Sequence, residues 1–466
     1  MLPSGHVFAV PGICALMIFI LARPQEFIPL LQRVPFLHLF TALAVLGWII
    51  DIRLRRLQPL PVPTLPWVIA FILWAFIGTA VVAPEKLIER GIELAIMFAL
   101  YGTLAHGVQK FRTFQIVAGT LVTTCLFIAF VCFHQGLSPK QCIAGEDLAG
   151  GAINGRPDGR RCDTAETCVG PDAEPGMQYR CEHVGLFGTY SIEERVRYRG
   201  ELHDPNEVAL TVCAGALSLL IGFALRRRNL LNIALCSAGV ALVVMTVLAT
   251  KSRGGLVSAA LVPGVYLLRR YRFKGLAVMA ALALPLILFG GRSGANADVS
   301  TQLRYEAWAT GLDLFKENPI FGVGARLFSD HHYLTAHNSL VLTLAELGLV
   351  GMMLFVTIIY MTFKTLIVGL RSLSHVPGSA AVQVWGMALI ASMSGILFQS
   401  NTLSFAYHSV LWIFLGLVGA WYSAIKHHQP DFTVKFGWKD AGGIVAGCVA
   451  YVFVVLPVFL KYKGEY

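Results

Sequence analysis

Apolar stretches long enough to cross a lipid bilayer recur about 13 times along this chain. They fall near 7–22, 34–50, 62–83, 91–107, 114–134, 206–225, 229–249, 254–268, 274–290, 338–363, 380–400, 405–425 and 441–460. A bilayer core needs about 20 mostly apolar residues per helix, and its lack of water forces backbone polar groups to pair within each span. The pattern predicts an all-α, polytopic membrane protein with about 13 transmembrane helices.

Composition excludes most other classes. Only 14% of the 466 residues are charged and 56% are hydrophobic, whereas about 25% of a soluble domain is charged. The net charge of +10 could attract nucleic acid. In so apolar a chain, however, basic loops that orient the helices explain the excess better, and we expect no nucleic-acid partner.

Basic residues in the short loops predict the orientation. Threading the stretches alternately puts on one side the clusters Arg53, Arg55 and Arg56; Arg226, Arg227 and Arg228; and Arg269, Arg270 and Arg272. Cytoplasmic loops of membrane proteins carry such an excess of Lys and Arg, so we expect these loops inside. Both long connections, about 135–205 and 291–337, then lie on the outer face.

The apolar stretches and long connections together predict five regions. These are N-terminal transmembrane helices at 1–134, an extracytoplasmic loop with cysteines at 135–205, central transmembrane helices at 206–290, a second extracytoplasmic loop at 291–337, and C-terminal transmembrane helices at 338–466. An interfacial helix near 301–317 is expected in the second loop.

Four cysteines occupy the first long connection: Cys142, Cys162, Cys168 and Cys181. In an oxidising compartment they indicate two disulfides, with three pairings open. A zinc site is the alternative, but zinc loops usually contain a Cys-x-x-Cys pair and this loop has none. We therefore expect disulfides.

Four polar clusters stand out, and all four fall at the outer membrane interface. They are Arg199-Gly200 followed by Asp204-Pro205-Asn206-Glu207; Lys251-Ser252-Arg253-Gly254-Gly255; Arg304 with Trp308; and His337-Asn338-Ser339. Asp204 suits a helix N-cap, which is compatible with a functional role. Their common side predicts an outward-facing site.

The second and fourth clusters carry the chemistry. Arginine presents a planar fork of donors and glycines expose backbone N–H groups, so Arg253 with Lys251 could clamp a phosphate; a short turn with snorkelling cations is the alternative. His337 titrates near neutrality and could take a proton from a hydroxyl. A purely structural histidine, or a metal site with His331 and His332, remains the alternative there.

Several common catalytic motifs are missing from the sequence. It contains no Gly-x-x-x-x-Gly-Lys-Ser/Thr, no Gly-x-Ser-x-Gly and no His-Glu-x-x-His. We therefore expect no ATP hydrolysis, serine hydrolase or zinc protease activity, and we predict neither a cofactor nor a catalytic metal.

The order of the clusters resembles the bacterial O-antigen ligase and polymerase superfamily. The resemblance spans about 199–351 and rests on Arg199-Gly200, Asp204 to Ala209, Ser252 to Gly255, Arg304 with Trp308, Asn318 to Gly324, His337 to Leu340, and Glu346 to Gly351. The family consists of GT-C-type membrane glycosyltransferases. They take a glycan from an undecaprenyl-pyrophosphate carrier on the periplasmic side and pass it to lipid A core, another repeat unit or a protein.

This resemblance implies roles for individual residues. Arg253 and Arg304 would contact the carrier's pyrophosphate, and His337 would be the catalytic base. Arg199, Asp204 and Asn206 match a family motif and, with Lys251 and Asn338, complete the expected substrate-binding set. It also implies a location in the bacterial inner membrane with the site facing the periplasm. The opening Arg23-Pro24-Gln25-Glu26-Phe27 resembles exopolysaccharide-linked members and favours a polymerase.

Two features depart from the family pattern: the cysteine-containing loop, and a helix count one above its usual dozen. The competing function is transport of a small anion or a lipid-linked solute. Transport would call for ionisable groups near the bilayer midplane. The spans are nearly free of them, and the best candidate, Glu346, lies about two turns into its helix.

Overall fold

Helices dominate the computed structural model, which describes residues 7–58, 60–145, 155–171, 173–174, 177–290 and 295–465. In chain order the helices are α1 Ala9–Leu21, α2 Phe36–Arg53, α3 Leu65–Val82, α4 Leu87–Gly107, α5 Phe111–Leu137, α6 Pro205–Val212, α7 Ser218–Arg226, α8 Leu230–Ala249, α9 Arg253–Tyr271, α10 Phe273–Gly290, α11 Ala295–Glu317, α12 Ser339–Leu373, α13 Ala380–Gln399, α14 Ser409–His428, α15 Trp438–Ala450 and α16 Leu456–Lys463. A π-helical segment, Cys213–Leu217, joins α6 to α7.

The prediction of an all-α, polytopic membrane protein is confirmed. Each apolar stretch falls on a helix, and nine candidate spans in the described part of the chain are long and apolar enough to cross a membrane. The remaining stretches form helices as well: α1, which is shorter, and α4, α9 and α10. Three of these carry charges inside or near their ends: Glu93 in α4, Arg269 in α9 and Lys274 in α10.

A small β-sheet in the first long connection was not predicted. Its strands are β1 Lys140–Gly145, β2 Arg156–Arg161 and β3 Gln178–His183, in the order β2-β1-β3 with both pairs antiparallel. β2 reads Arg-Pro-Asp-Gly-Arg-Arg, a sequence with little strand propensity. Disulfides and pairing with β1 determine this element, and local sequence does not.

The two disulfides expected in this loop are present. Cys142 is bonded to Cys168, and Cys162 to Cys181. Cys142 and Cys181 are direct neighbours across β1 and β3, so both bridges meet at the centre of the sheet, and Cys142, Cys162 and Cys168 form its small buried core with Tyr179 packed against them. A loop without a large core gains its stability from such bridges.

The chain forms two compact units. The first comprises the described residues of Met1–Leu16, Leu37–Ala118 and Ser293–Tyr466, and the second those of Met17–Phe36 and Gly119–Arg292. In the first unit α4 packs along α14, and Tyr101, Phe71, Trp385, Trp412 and Trp421 are fully buried. In the second unit α6 packs against α9, and the sheet lies on the chain between α5 and α6.

Candidate active site

Two helices of the second unit begin with capped first turns. Asp204 is the N-cap of α6, and its side chain accepts the backbone N–H of Asn206 at 2.7 Å. Ser252 is the N-cap of α9, and its hydroxyl accepts the N–H of Gly255 at 3.0 Å. The N-cap expected of Asp204 is therefore present, with Pro205 in the first turn.

Side chains join these two caps. The Asn206 side-chain oxygen accepts the Ser252 hydroxyl at 2.6 Å and an Arg195 guanidinium N–H at 3.3 Å, and its amide donates to Asp204 at 2.8 Å. Arg195 also donates to the Thr250 carbonyl at 3.0 Å. The structure thus brings together two sequence clusters that are separated by more than 40 residues.

Arg253 opens α9 directly after this network. Its side chain is exposed, and it occupies the first helical position. The beginnings of α6 and α9 lie close together: a Cβ added to Gly255 would fall only 2.4 Å from the Ala209 Cβ. Helix N-termini carry partial positive charge and unpaired N–H groups, so two of them beside an arginine favour an anion such as phosphate.

Lys251 and Arg199 have partners within the protein. The Lys251 ammonium lies 3.0 Å from Glu194, which also binds Lys140 of β1 at 2.6 Å. Hydrogen bonds from Lys140 and Lys251 lower the pKa of Glu194 to about 2. Arg199 donates to the Phe187 carbonyl. Both cations therefore hold the loop together, a role that their sequence positions did not reveal.

Arg195 is a residue that sequence reasoning missed. It forms an alternating series with Arg197 and Arg199 just before the Asp204 motif. Arg197 is buried, donates to the Tyr190 carbonyl at 3.1 Å and lies over the Tyr190 ring at 4.6 Å. The repeat of three arginines was the available signal, and the structure gives each of them a different carbonyl acceptor.

His337 belongs to the first unit and directly precedes the N-cap of α12. Its φ of 46° is in the left-handed region, and its backbone N–H donates to the Ser404 hydroxyl at 3.0 Å. Asn338 is the cap, accepting the N–H groups of Leu340 and Val341 at 2.9 and 3.2 Å. His337 therefore lies at the helix entrance that the sequence predicted.

The chain between α13 and α14 fixes that entrance. The Ser339 N–H donates to the Ser400 carbonyl at 2.7 Å, and the Ser339 hydroxyl donates to the Leu403 carbonyl at 2.8 Å while accepting the Phe405 N–H. Ser339 is fully buried. This set of bonds holds the backbone on both sides of His337 in one conformation.

A break in α12 explains two of the sequence motifs. Gly348 has a φ of 66° inside the helix, and the segment from Pro319 to Gly324 pairs with the opened turn. Val323 and Gly324 donate to the Ala345 and Glu346 carbonyls at 3.0 Å, and Leu349 donates to Pro319 at 3.0 Å. A Cβ on Gly348 would fall 2.2 Å from the Ile320 carbonyl oxygen, so only glycine fits.

Glu346 anchors the loop that follows. Its carboxylate is buried and accepts the backbone N–H groups of Arg326 and Phe328 at 2.9 and 3.0 Å. Glu346, the best candidate for a transport group, therefore has a structural role, since two fixed backbone N–H groups satisfy the hydrogen-bonding capacity of its carboxylate. This observation counts against the transporter alternative.

Arg326 belongs to an ion-pair group that the sequence did not reveal. It donates to the Tyr407 carbonyl at 3.1 Å and lies 3.6 Å from Glu93, which Arg90 also approaches at 3.1 Å. Nothing in the sequence except an arginine after Gly322-Val323-Gly324 pointed to it. The pairing with Glu93 makes Arg326 part of an ion-pair group.

Arg304 lies half-buried on α11. A helix is present where the interfacial helix near 301–317 was predicted, and it begins earlier, at Ala295. Tyr305 and Trp308 of α11 pack against Phe459 of α16 with ring centroids 5.3 and 5.6 Å apart. Arg304 thus shares the first unit with His337 and Asn338, whereas Arg199, Asp204, Asn206, Lys251 and Arg253 share the second.

The metal-site alternatives find little support among the residues that the structure describes. The one group of three close metal-ligating side chains there is Cys142, Cys162 and Cys168, whose sulfurs are bound in disulfides. His332 accepts the Leu334 N–H at 3.1 Å and stacks on Tyr333 at 4.5 Å. These contacts account for its orientation without an ion.

Part of this chain matches the model of a known protein family. Residues 238–356 match the family model described as O-antigen ligase. The matched segment contains Lys251, Arg253, Arg304, His337 and Asn338, and it begins after the Arg199 to Glu207 region. A search of curated proteins finds no match to this chain.

Proposed function

We propose that this chain is a glycosyltransferase that uses a lipid-linked donor, because residues 238–356 match the O-antigen ligase family model and the chain is a multi-pass membrane protein. It transfers a glycan from an undecaprenyl-pyrophosphate carrier to a hydroxyl acceptor. The observation that carries the proposal is the joined start of α6 and α9, where the Asn206 to Ser252 hydrogen bond holds Arg253 at two adjacent helix N-termini.

The donor end of the reaction is an electrostatic problem. When the bond between the anomeric carbon and the pyrophosphate oxygen breaks, negative charge builds on the leaving group. Arg253 and Arg304 bind that pyrophosphate in our proposal, and preorganised cations stabilise such charge best where water is excluded. The carrier is already activated, so the reaction requires no ATP site.

The acceptor end needs a base. His337 takes the proton from the acceptor hydroxyl while the hydroxyl oxygen forms the new bond to the anomeric carbon. The proton later passes from His337 to water. The Ser404 bond and the Asn338 cap fix the backbone on either side, which supports a base of defined position. Arg199, Asp204, Asn206, Lys251 and Asn338 support this machinery by holding its loops and first turns.

The location follows from the charge asymmetry of the loops. Clusters such as Arg226 to Arg228 lie at the end of α7 and in its connection to α8, and the positive-inside rule assigns that connection to the cytoplasm. The loop with the disulfides then faces an oxidising compartment. We therefore propose a bacterial inner-membrane protein whose reactive groups face the periplasm.

Both a ligase and a polymerase are compatible with this chemistry. The acceptor differs between them (lipid A core, a second repeat unit or a protein), but in each case the reacting group is a hydroxyl. The segment Arg23 to Phe27 favours the polymerase. Glycan length distinguishes the two: a polymerase yields a ladder of products from one carrier-linked repeat, whereas a ligase adds each glycan once.

The experiment uses purified protein in proteoliposomes with a carrier-linked glycan donor. Glycan transfer with loss of the pyrophosphate carrier supports the proposal, and solute uptake without transfer supports the transporter. Arg253→Ala should abolish most donor use, and Arg253→Lys should restore only part because an ammonium cannot reproduce a bidentate fork. Arg269→Ala is the matched control, since Arg269 is exposed near the opposite end of α9.

A further inference from the structure

A hairpin turn in the second unit contains two residues with strained backbones. Ile192 and Arg195 exchange backbone hydrogen bonds of 2.9 Å in both directions, and only Glu193 and Glu194 lie between them. The φ angles of Glu193 and Glu194 are 50° and 61°. Two-residue turns with positive φ at both positions favour Asn and Gly, because elsewhere the Cβ approaches a backbone carbonyl oxygen. Strained residues of this kind persist only where the surrounding structure holds them, and they concentrate at functional sites.

A buried carboxylate holds the hairpin turn. Glu182 lies on β3, next to the disulfide-bonded Cys181. Its side chain is buried and accepts the backbone N–H groups of Glu193 and Glu194 at 2.7 and 3.3 Å, together with the Ser191 hydroxyl. Hydrogen bonds to an ionised acceptor are stronger than those between neutral groups. The turn therefore takes its conformation from the sheet and not from its own sequence.

The other side of the hairpin turn contacts the starts of two helices. The Glu194 carboxylate lies 3.0 Å from the Lys251 ammonium. Arg195 donates to the Thr250 carbonyl at 3.0 Å and to the Asn206 side chain at 3.3 Å. Thr250 and Lys251 belong to the connection that leads into α9, Lys251 has a positive φ of 49°, and Asn206 lies in the first turn of α6. The turn therefore joins the sheet to both helix starts.

We propose that Glu182 is a positioning residue for the pyrophosphate of the donor: it fixes the hairpin turn, and the turn holds the starts of α6 and α9 beside Arg253. This inference rests on the proposed function. Glu182 acts through the turn, and it precedes the segment that matches the O-antigen ligase family model. The disulfide-bonded sheet thereby contributes to donor binding although it lies outside that segment.

The first test compares Glu182→Gln with Glu166→Gln, which makes the same exchange at an exposed position of the same loop. Glutamine keeps the shape of the side chain but replaces one acceptor oxygen with an amide donor. Glu182→Gln should raise the dissociation constant of inorganic pyrophosphate about tenfold, the size of one hydrogen bond to a charged group. It should change the KM of the acceptor less than about twofold, because the lost interaction serves the donor. Glu166→Gln should change neither constant.

A second exchange tests whether the carboxylate acts through the hairpin turn. Glycine adopts a positive φ without strain, so Glu193→Gly lets the turn form with less support from Glu182. The double variant Glu182→Gln, Glu193→Gly should therefore bring the dissociation constant of pyrophosphate back to within about threefold of the wild type.

Hydrogen–deuterium exchange gives a readout that does not require catalysis. The amides of Gly255 and Leu256 are bonded to the Ser252 side chain and carbonyl at the start of α9. They should exchange faster in Glu182→Gln than in the wild type or Glu166→Gln, and the double variant should return them to the wild-type rate.

Three outcomes would overturn the inference: no change in exchange or in pyrophosphate binding for Glu182→Gln, equal effects of Glu166→Gln, or no recovery in the double variant. A different outcome would refute the proposed function. In that case Glu182→Gln speeds exchange at the start of α9, which confirms the contact between the turn and the helix, but the wild type binds no pyrophosphate and transfers no glycan.

Discussion

The Ser252 hydroxyl donates a 2.6 Å hydrogen bond to the Asn206 side-chain oxygen, and this bond joins the first turns of α6 and α9. The same oxygen accepts Arg195, and the Asn206 amide donates to Asp204. The position of Arg253 therefore depends on residues far from it in sequence. These contacts fix the start of α9, and Arg253 is the first residue of that helix.

Asn206→Ala should loosen the start of α9 and lower kcat/KM for the donor by about tenfold, since a buried hydrogen-bonded network is worth about 1–3 kcal/mol. The inhibition constant of inorganic pyrophosphate should rise in parallel, because Arg253 loses its orientation. Asn229→Ala serves as the control: it removes the N-cap of α8 at the end remote from Ser252. Equal effects of the two changes would show a general loss of stability and not a positioning role.

The disulfides should appear in non-reducing peptide mass spectrometry as Cys142–Cys168 and Cys162–Cys181. A Cys162→Ser, Cys181→Ser double variant should lower the stability of the loop by about 2–4 kcal/mol and speed its proteolysis, while the helices keep their thermal transition. Membrane-impermeant maleimide should label these cysteines from outside the cell only after reduction. Four free thiols, or bound zinc, would contradict this account.

The Glu194 bridge predicts a pH dependence of the same loop. Lys140 and Lys251 lower the pKa of Glu194 from the ordinary 4.5 to about 2. The bridge therefore stabilises the loop fully above pH 4.5, and this stabilisation is lost as the pH falls towards 2. Glu194→Gln should therefore be cleaved faster in this loop than the wild type at pH 7. Near pH 2 the two proteins should be cleaved at the same rate. The effect should be small and should shrink in high salt, since Glu194 is exposed.

Gly348→Ala should destabilise the first unit because its Cβ would meet the Ile320 carbonyl and its φ is positive. We expect a loss of at least about 1–3 kcal/mol, measured as a lower thermal midpoint in detergent. Gly442→Ala, at an exposed helical position, should be neutral or raise stability by up to about 1 kcal/mol. An unchanged midpoint for Gly348→Ala would mean that α12 is not broken there.

The sequence predicted the helices and the residues at the helix entrances, because apolar length and N-cap chemistry are local signals. Asp204 and Asn338 were recognisable in this way. The Asn206 to Ser252 bond, the Glu346 carboxylate beneath Arg326 and the sheet containing β2 could not be predicted. They depend on contacts between distant segments, and neither a buried carboxylate nor Arg-Pro-Asp-Gly-Arg-Arg has a local pattern that reports its partner.

The rate of glycan transfer by His337→Asn at saturating donor tests most directly whether His337 is the base. Asparagine tolerates a positive φ, so this variant keeps the backbone at 46° while removing the imidazole. We predict that kcat falls by roughly 10²–10⁴-fold while the donor Kd changes less than about twofold, with no effect of chelators on the wild type. Transfer at the normal rate, or wild-type activity lost on chelation and restored by a divalent ion, would contradict the mechanism.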